Sequence, residues 1–118
     1  LTDLVKTEPE IMAVTAIEHG VRLILKVPED LDYFQGHFPG APILAGVVQL
    51  DWAMRLASEY LLKAPFHHIQ LQVLKFQVVI TPGMTLTLDF QHGQGNKFSF
   101  IYRSNKGVHA SGRVVYER

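Results

Sequence analysis

Tyr33-Phe34-Gln35-Gly36-His37-Phe38-Pro39-Gly40-Ala41-Pro42-Ile43-Leu44-Ala45-Gly46-Val47 is the stretch on which the fold turns. Gly36, Pro39, Gly40, Pro42 and Gly46 crowd it with residues that break both helix and strand, so it reads as a structured loop. Long loops of this kind in a small domain commonly carry function. The character then changes. From Ile43 or Val47 to about Lys63 no glycine or proline follows Gly46, helix-forming Leu, Ala, Met and Arg are frequent, and Pro65 closes the run. This predicts one long helix.

Strands flank it on both sides. Ile11 to Glu18 and Val21 to Val27 read as a hairpin turning at His19-Gly20. After the helix, His67 to Ile80 is a long β-prone run ended by Thr81-Pro82-Gly83. Thr85 to Gln91 alternates Leu86, Leu88 and Phe90 against Thr85, Thr87 and Asp89. Lys97 to Arg103 and Val108 to Tyr116 follow, separated by turns at Gly93-Gln94-Gly95-Asn96 and Asn105-Lys106-Gly107. Runs of strands around one helix predict an α+β domain with a sheet packed on that helix. The whole chain, 1–118, is expected to be one domain.

Composition narrows the function classes. Hydrophobic residues make up 47% and charged residues 19%, the balance of a globular protein. The formal net charge is zero and Lys and Arg are scattered, which argues against a nucleic-acid footprint. The chain has no cysteine, so disulfides, thiolate metal sites and thiol nucleophiles are excluded, and a reducing cytoplasm is compatible. No apolar run approaches the roughly 18 residues that span a membrane, and nothing resembles a signal peptide. A chain this short cannot easily enclose a large cavity by itself. A ligand tunnel is easier to build between two subunits.

On a helical wheel Val47, Leu50, Met54, Ala57 and Leu61 share one face, with Asp51 at its edge. A carboxylate at an apolar boundary is costly if ionised and unpaired, so burial would favour its protonated form. The same sequence also offers a plainer reading. Asp51, Arg55, Glu59 and Lys63 alternate in sign at i, i+4, the pattern of a solvent-exposed ladder of ion pairs. The helix alone does not decide between them.

The preceding loop resembles the signature of FabZ/FabA-type 3-hydroxyacyl-[acyl carrier protein] dehydratases, roughly G-H-F-P-x-x-P-x-x-P-G-V with an acidic residue fourteen positions after the histidine. Fourteen positions after His37 stands Asp51. The resemblance implies a hot-dog fold, an antiparallel sheet wrapped around a central helix. It also implies removal of water from a 3-hydroxyacyl thioester, with His37 as the base for the α-proton and Asp51 as the acid for the departing hydroxyl. An imidazole, with an ordinary pKa of about 6.5, suits the first role. The carbonyl of Ile43 would fix the histidine tautomer. The amide of Gly46 would steady the thioester oxygen as it gains charge, a task suited to a helix N-terminus. Two departures stand out. Ala45 occupies a position where the family usually has proline, and Asp51 one where the FabZ branch has glutamate. The run Asp51-Trp52-Ala53-Met54-Arg55 is similar to dehydratases of aryl-polyene and related type II pathways.

The resemblance further implies a homodimer, or a higher oligomer of dimers, in which His37 of one subunit meets Asp51 of the other. The acyl chain would lie along the helix against Phe38 and Met54, delivered by an acyl carrier protein or as a coenzyme A thioester. No metal, cofactor or nucleic acid is expected, and the location implied is cytoplasmic. A hot-dog thioesterase and a non-catalytic acyl-binding partner subunit are the alternatives. His67 and His68 are adjacent in a strand and point to opposite faces, so they do not form a metal site. His19, His92 and His109 read as surface or partly buried structural residues. Gly93 to Lys97 reads as a hairpin turn rather than a phosphate loop, and Trp52 as a packing residue against the sheet.

Overall fold

A computed structural model describes residues 6–34 and 41–117. His37 and Phe38 lie outside these described residues. Six strands, β1 (Glu10–Ile17), β2 (Gly20–Lys26), β3 (His68–Phe76), β4 (Thr85–His92), β5 (Lys97–Ser104) and β6 (Gly107–Glu117), form one sheet. Their order is β1-β2-β4-β5-β6-β3, and every neighbouring pair is antiparallel. Among the described residues a short 3-10 turn spans Asp32–Phe34, and one α-helix, α1 (Gly46–Leu56), continues into π-helical turns at Ala57–Leu62. Among the described residues no helix is long and apolar enough to cross a membrane.

The alternating strands bury one side chain in two. Leu23 and Leu25 of β2, Leu86, Leu88 and Phe90 of β4, and Phe98, Phe100 and Tyr102 of β5 face inward and are almost fully buried. They close on Val48, Trp52, Ala53 and Leu56 of α1. Trp52 is fully buried against the sheet side, as expected, and its Nε1–H donates to the carbonyl of Thr7 at 2.9 Å. The first hairpin turns one residue earlier than the sequence predicts. His19 takes the left-handed conformation (φ 59°) and Gly20 already belongs to β2. Any Cβ at position 20 would lie 1.8 Å from the carbonyl oxygen of Phe90, so only glycine fits there.

One further expectation needs correction. The β-prone run 67–80 leaves the ladder after Phe76, because the chain must cross from the β3 edge to β4, three strands away. That distance is about 14 Å, and residues 77–84, extended, can reach about 26 Å. The helix ends where the sequence places it, at about Lys63. Lys63 adopts the left-handed conformation (φ 54°), and the Ala64 amide bonds back to the Ser58 carbonyl, so the helix stops before Pro65 acts.

The buried face of α1 is not the one the wheel selects. Val48, Gln49, Trp52, Ala53 and Leu56 face the sheet, whereas Val47 is 74% exposed and Leu50 and Met54 are only half-buried. Apolar residues surround this helix on most sides, so periodicity alone cannot choose the core face. The Val47-Leu50-Met54 stripe is left over, only partly covered by the chain's own sheet.

Candidate active site

Topology gathers the site at one end of the sheet. β2 ends, α1 begins, β3 ends and β4 begins at that same end, as the pairing of Lys26 with Thr85 and of Phe76 with Ala110 requires. The Leu44 amide donates to the Ile80 carbonyl at 2.8 Å, which ties the loop before α1 to the crossing segment. Between them lies a partly open cavity of about 250 Å³. Ile43, Phe76, Val78 and Val79 give it apolar walls, and Gly46, Gln49 and His109 complete it.

The first turn of α1 opens here without a side-chain cap. Its N-cap is Ala45, which has no side-chain oxygen to satisfy the amides that follow. The partial positive charge of a helix start is therefore available to an oxygen that gains negative charge. Gly46 has a second, steric role that its motif does not reveal. A Cβ there would sit 2.8 Å from Cζ of Phe76, whose ring is 50% exposed. Gly46→Ala should leave thermal stability within about 1 kcal/mol, since an exposed ring can swing aside. The displaced ring would reshape the cavity and, for the dehydration that the sequence resemblance implies, lower kcat/KM by about tenfold or more. Unchanged kcat/KM in that variant would show that the close approach of Phe76 is unimportant for the reaction.

His109 is a structural surprise. Strand alternation puts it on the outer face with Ser111 and Arg113, yet it is fully buried. Tyr102 pairs with Ala110 and Arg103 with Val108, so His109 is the extra residue of a bulge. Bulges re-aim side chains in this way. Its Nδ1 lies 3.1 Å from the Val78 carbonyl, which can only accept, so Nδ1 carries the proton. Nε2 then accepts the Ser104 hydroxyl at 2.6 Å, and that hydroxyl oxygen accepts the Lys106 amide at 3.0 Å. This relay fixes the wall segment at Val78.

Asp51 is neither buried nor unpaired. Its side chain is 52% exposed, and Oδ2 accepts Nε–H of Arg55 at 3.0 Å. The expectation of an apolar setting for Asp51 therefore fails within one subunit, and the first rung of the ion-pair ladder is real. The ladder's next partner is not Glu59 but Glu8. Both Nη groups of Arg55 donate to the Glu8 carboxylate, Nη2 to Oε2 at 2.7 Å. Hydrogen bonds from Arg55 hold Glu8 below the usual carboxylate range, against a smaller opposing effect of burial. A lowered folded-state pKa means that the pair stabilises above the unfolded value and loses its effect as pH falls through the folded one. Because both groups are about half exposed, the contribution is at most about 1 kcal/mol. The stability gap between the native chain and Glu8→Gln should be present at pH 7 and should close below about pH 4. A gap that persists unchanged at pH 3 would contradict this origin.

Of the residues singled out in the sequence, Ile43 and Gly46 meet in the cavity wall. Asp51 lies beyond them on the same helix, roughly 7.5 Å along the axis from Gly46. Met54 packs half-buried against the core and is not part of that wall. Gln49, Phe76, Val78, Val79 and His109 were not legible as site residues. Gln49 alone gave a signal, a lone amide among apolar neighbours.

Residues 13–113 match the family model described as ApeI-like, ApeI dehydratase. The 3-hydroxyacyl-[acyl-carrier-protein] dehydratase FabZ of Chloroflexus aggregans is 35% identical over 86 residues, covering 66% of this chain and 60% of that protein. The chain spans about 60% of the length of the curated relatives it matches. Among solved structures, the dehydratase heterocomplex ApeI:P from Xenorhabdus doucetiae superposes with a TM-score of 0.80 at 30% identity, covering 94% of this chain and 99% of that one. A protein from Erwinia carotovora subsp. atroseptica gives a TM-score of 0.76 at 32% identity, covering 92% and 95%. With its antiparallel sheet packed on one helix in the hot-dog arrangement, the chain belongs to the ApeI-like dehydratase family.

Proposed function

We propose that this protein removes water from a 3-hydroxyacyl thioester to give the trans-2-enoyl thioester in fatty-acid or polyene biosynthesis. The observation that carries the reading is the uncapped start of α1 at Gly46, opening onto an apolar-walled cavity. His37 takes the α-proton, and the electron pair moves toward the thioester oxygen, which the Gly46 amide steadies. The bond from the third carbon to oxygen then breaks, and Asp51, which acts at this step as the protonated acid and not as the carboxylate partner of Arg55, gives the leaving hydroxyl its proton, so water departs. The proton on His37 returns to Asp51 through solvent, and the pair is reset. Losing one such oxyanion donor typically costs about 2.7–4 kcal/mol of transition-state stabilisation.

A second copy of the chain completes the site in this reading. β3 is an edge strand, and Ile69, Leu74 and Phe76 on it are exposed, as is Val47 on α1. A homodimer formed across this edge would cover them, bring His37 of one subunit to Asp51 of the other, and leave the Val47-Leu50-Met54 stripe to line an acyl tunnel with Phe38. The substrate arrives on an acyl carrier protein rather than coenzyme A, and the reaction takes place in the cytoplasm. One assay tests the function. The protein is incubated with a 3-hydroxyacyl thioester, and the conjugated product is followed by ultraviolet absorbance. Release of free thiol without enoyl product would instead make it a thioesterase, and no turnover across several chain lengths would make it an acyl-binding subunit.

A further inference from the structure

We infer that Gln49 reads the 3-hydroxyl of the substrate, accepting its O–H at Oε1, and so selects hydroxyacyl over deoxy and oxo chains. This rests on the dehydratase reading above. Gln49 is only 5% exposed and belongs to the cavity wall at the start of α1. The roles of its two amide atoms are fixed, because the group 2.9 Å from the Leu44 carbonyl must be the donating Nε2. That leaves Oε1 sealed from solvent and without a hydrogen-bond partner among the described residues. A buried acceptor left unmade is costly, and such a group in a folded protein calls for an explanation.

The neighbouring donors are already engaged. Tyr102 O–H, buried and held well above the ordinary phenol range mainly by that burial, donates at 2.6 Å to the backbone carbonyl of Gln49. The N–H of His109 is taken by Val78, and the Ser104 hydroxyl by His109. None of these three side chains is free to supply the missing donor. Position 49 lies one turn after Gly46, so both face the same side of α1, roughly 4.5 Å apart along the axis. The cavity wall thus carries a donor at the Gly46 amide and, one turn further on, the Gln49 side chain, whose buried Oε1 a hydroxyl reaches once that side-chain amide turns toward the cavity. A 3-hydroxyacyl thioester has the complement, a carbonyl that accepts and, two carbons away, a hydroxyl that donates. Elimination removes that donor as water. The enoyl product can no longer satisfy Oε1 and binds more weakly than the substrate.

The test uses pantetheine amides, in which an amide replaces the thioester so that they are not dehydrated. Binding of the 3-hydroxyacyl, 3-oxoacyl and saturated forms is measured by calorimetry on the native protein and on Gln49→Met. The native protein should bind the hydroxyacyl form about tenfold more tightly than the other two, the value of one net hydrogen bond. Gln49→Met should bind all three alike. Because affinities are compared as a ratio, a partly unfolded variant does not mimic this result, and the native series decides alone if the variant does not fold. Equal binding of the three forms by the native protein, or a preference kept by Gln49→Met, would overturn the assignment. Conversion of the hydroxyacyl thioester in parallel separates the two readings. Enoyl product without hydroxyl preference defeats the role of Gln49 alone, whereas hydroxyl preference without enoyl product defeats the dehydratase reading alone.

Discussion

His37→Ala is expected to lower the rate of dehydration by roughly 10²–10⁴-fold, the usual contribution of a positioned general base, while the variant folds and melts like the native chain. Alanine leaves only water to take the α-proton, and water is a far weaker base than imidazole at neutral pH. The loss should appear in kcat rather than KM, since the base acts on the reacting proton and not on the acyl chain. His37 lies in the sequence between Phe34 and Ala41, and the described chain that follows is anchored at Leu44. Leu44 bonds to Ile80 of the crossing segment, and Gln49 bonds to Leu44 from the helix. Circular dichroism and a melting curve check the fold, and the ultraviolet assay checks the chemistry. Native activity in the alanine variant would remove His37 from the mechanism and with it the meaning of the fourteen-residue spacing.

The sheet was legible because half-buried strands alternate, and Leu86, Leu88 and Phe90 against Thr85, Thr87 and Asp89 leave no other reading. The loop-helix junction was legible through its breakers. What stayed hidden has particular causes. The core face of α1 was ambiguous because Val47, Leu50 and Met54 are as apolar as Val48, Trp52 and Leu56, and only the sheet's position chooses between them. His109 reads from the sequence as a surface or partly buried residue because one extra residue opposite Tyr102 and Arg103 reverses the alternation, and a bulge leaves little trace in a single sequence. The steric need for glycine at 46 depends on Phe76, distant in the chain. Glu8 sits in an N-terminal segment with no pattern of its own, yet it holds Arg55 and through it bears on Asp51.

That linkage makes Asp51→Asn the most informative substitution after His37. Asparagine keeps the shape of the side chain, and its Oδ1 can still accept Nε–H of Arg55, so the helix surface is hardly altered. The ion pair it loses is half exposed, and pairs of this kind contribute about 0.2–1 kcal/mol. Melting should therefore shift little. An amide has no acidic proton to hand to a departing hydroxyl, and the rate should fall by about 10²-fold or more. The two readings of this residue diverge at that point. A rung of a surface ladder would register in stability by a few tenths of a kcal/mol and in turnover not at all. A general acid registers in turnover by orders of magnitude and hardly in stability. Asp51→Glu adds a control, because it restores a proton on a longer arm and should recover part of the lost rate. If Asp51→Asn turned over substrate within about threefold of the native chain, the bond to Arg55 would be the whole role of this residue. The proton for the leaving hydroxyl would then have to come from His37 itself.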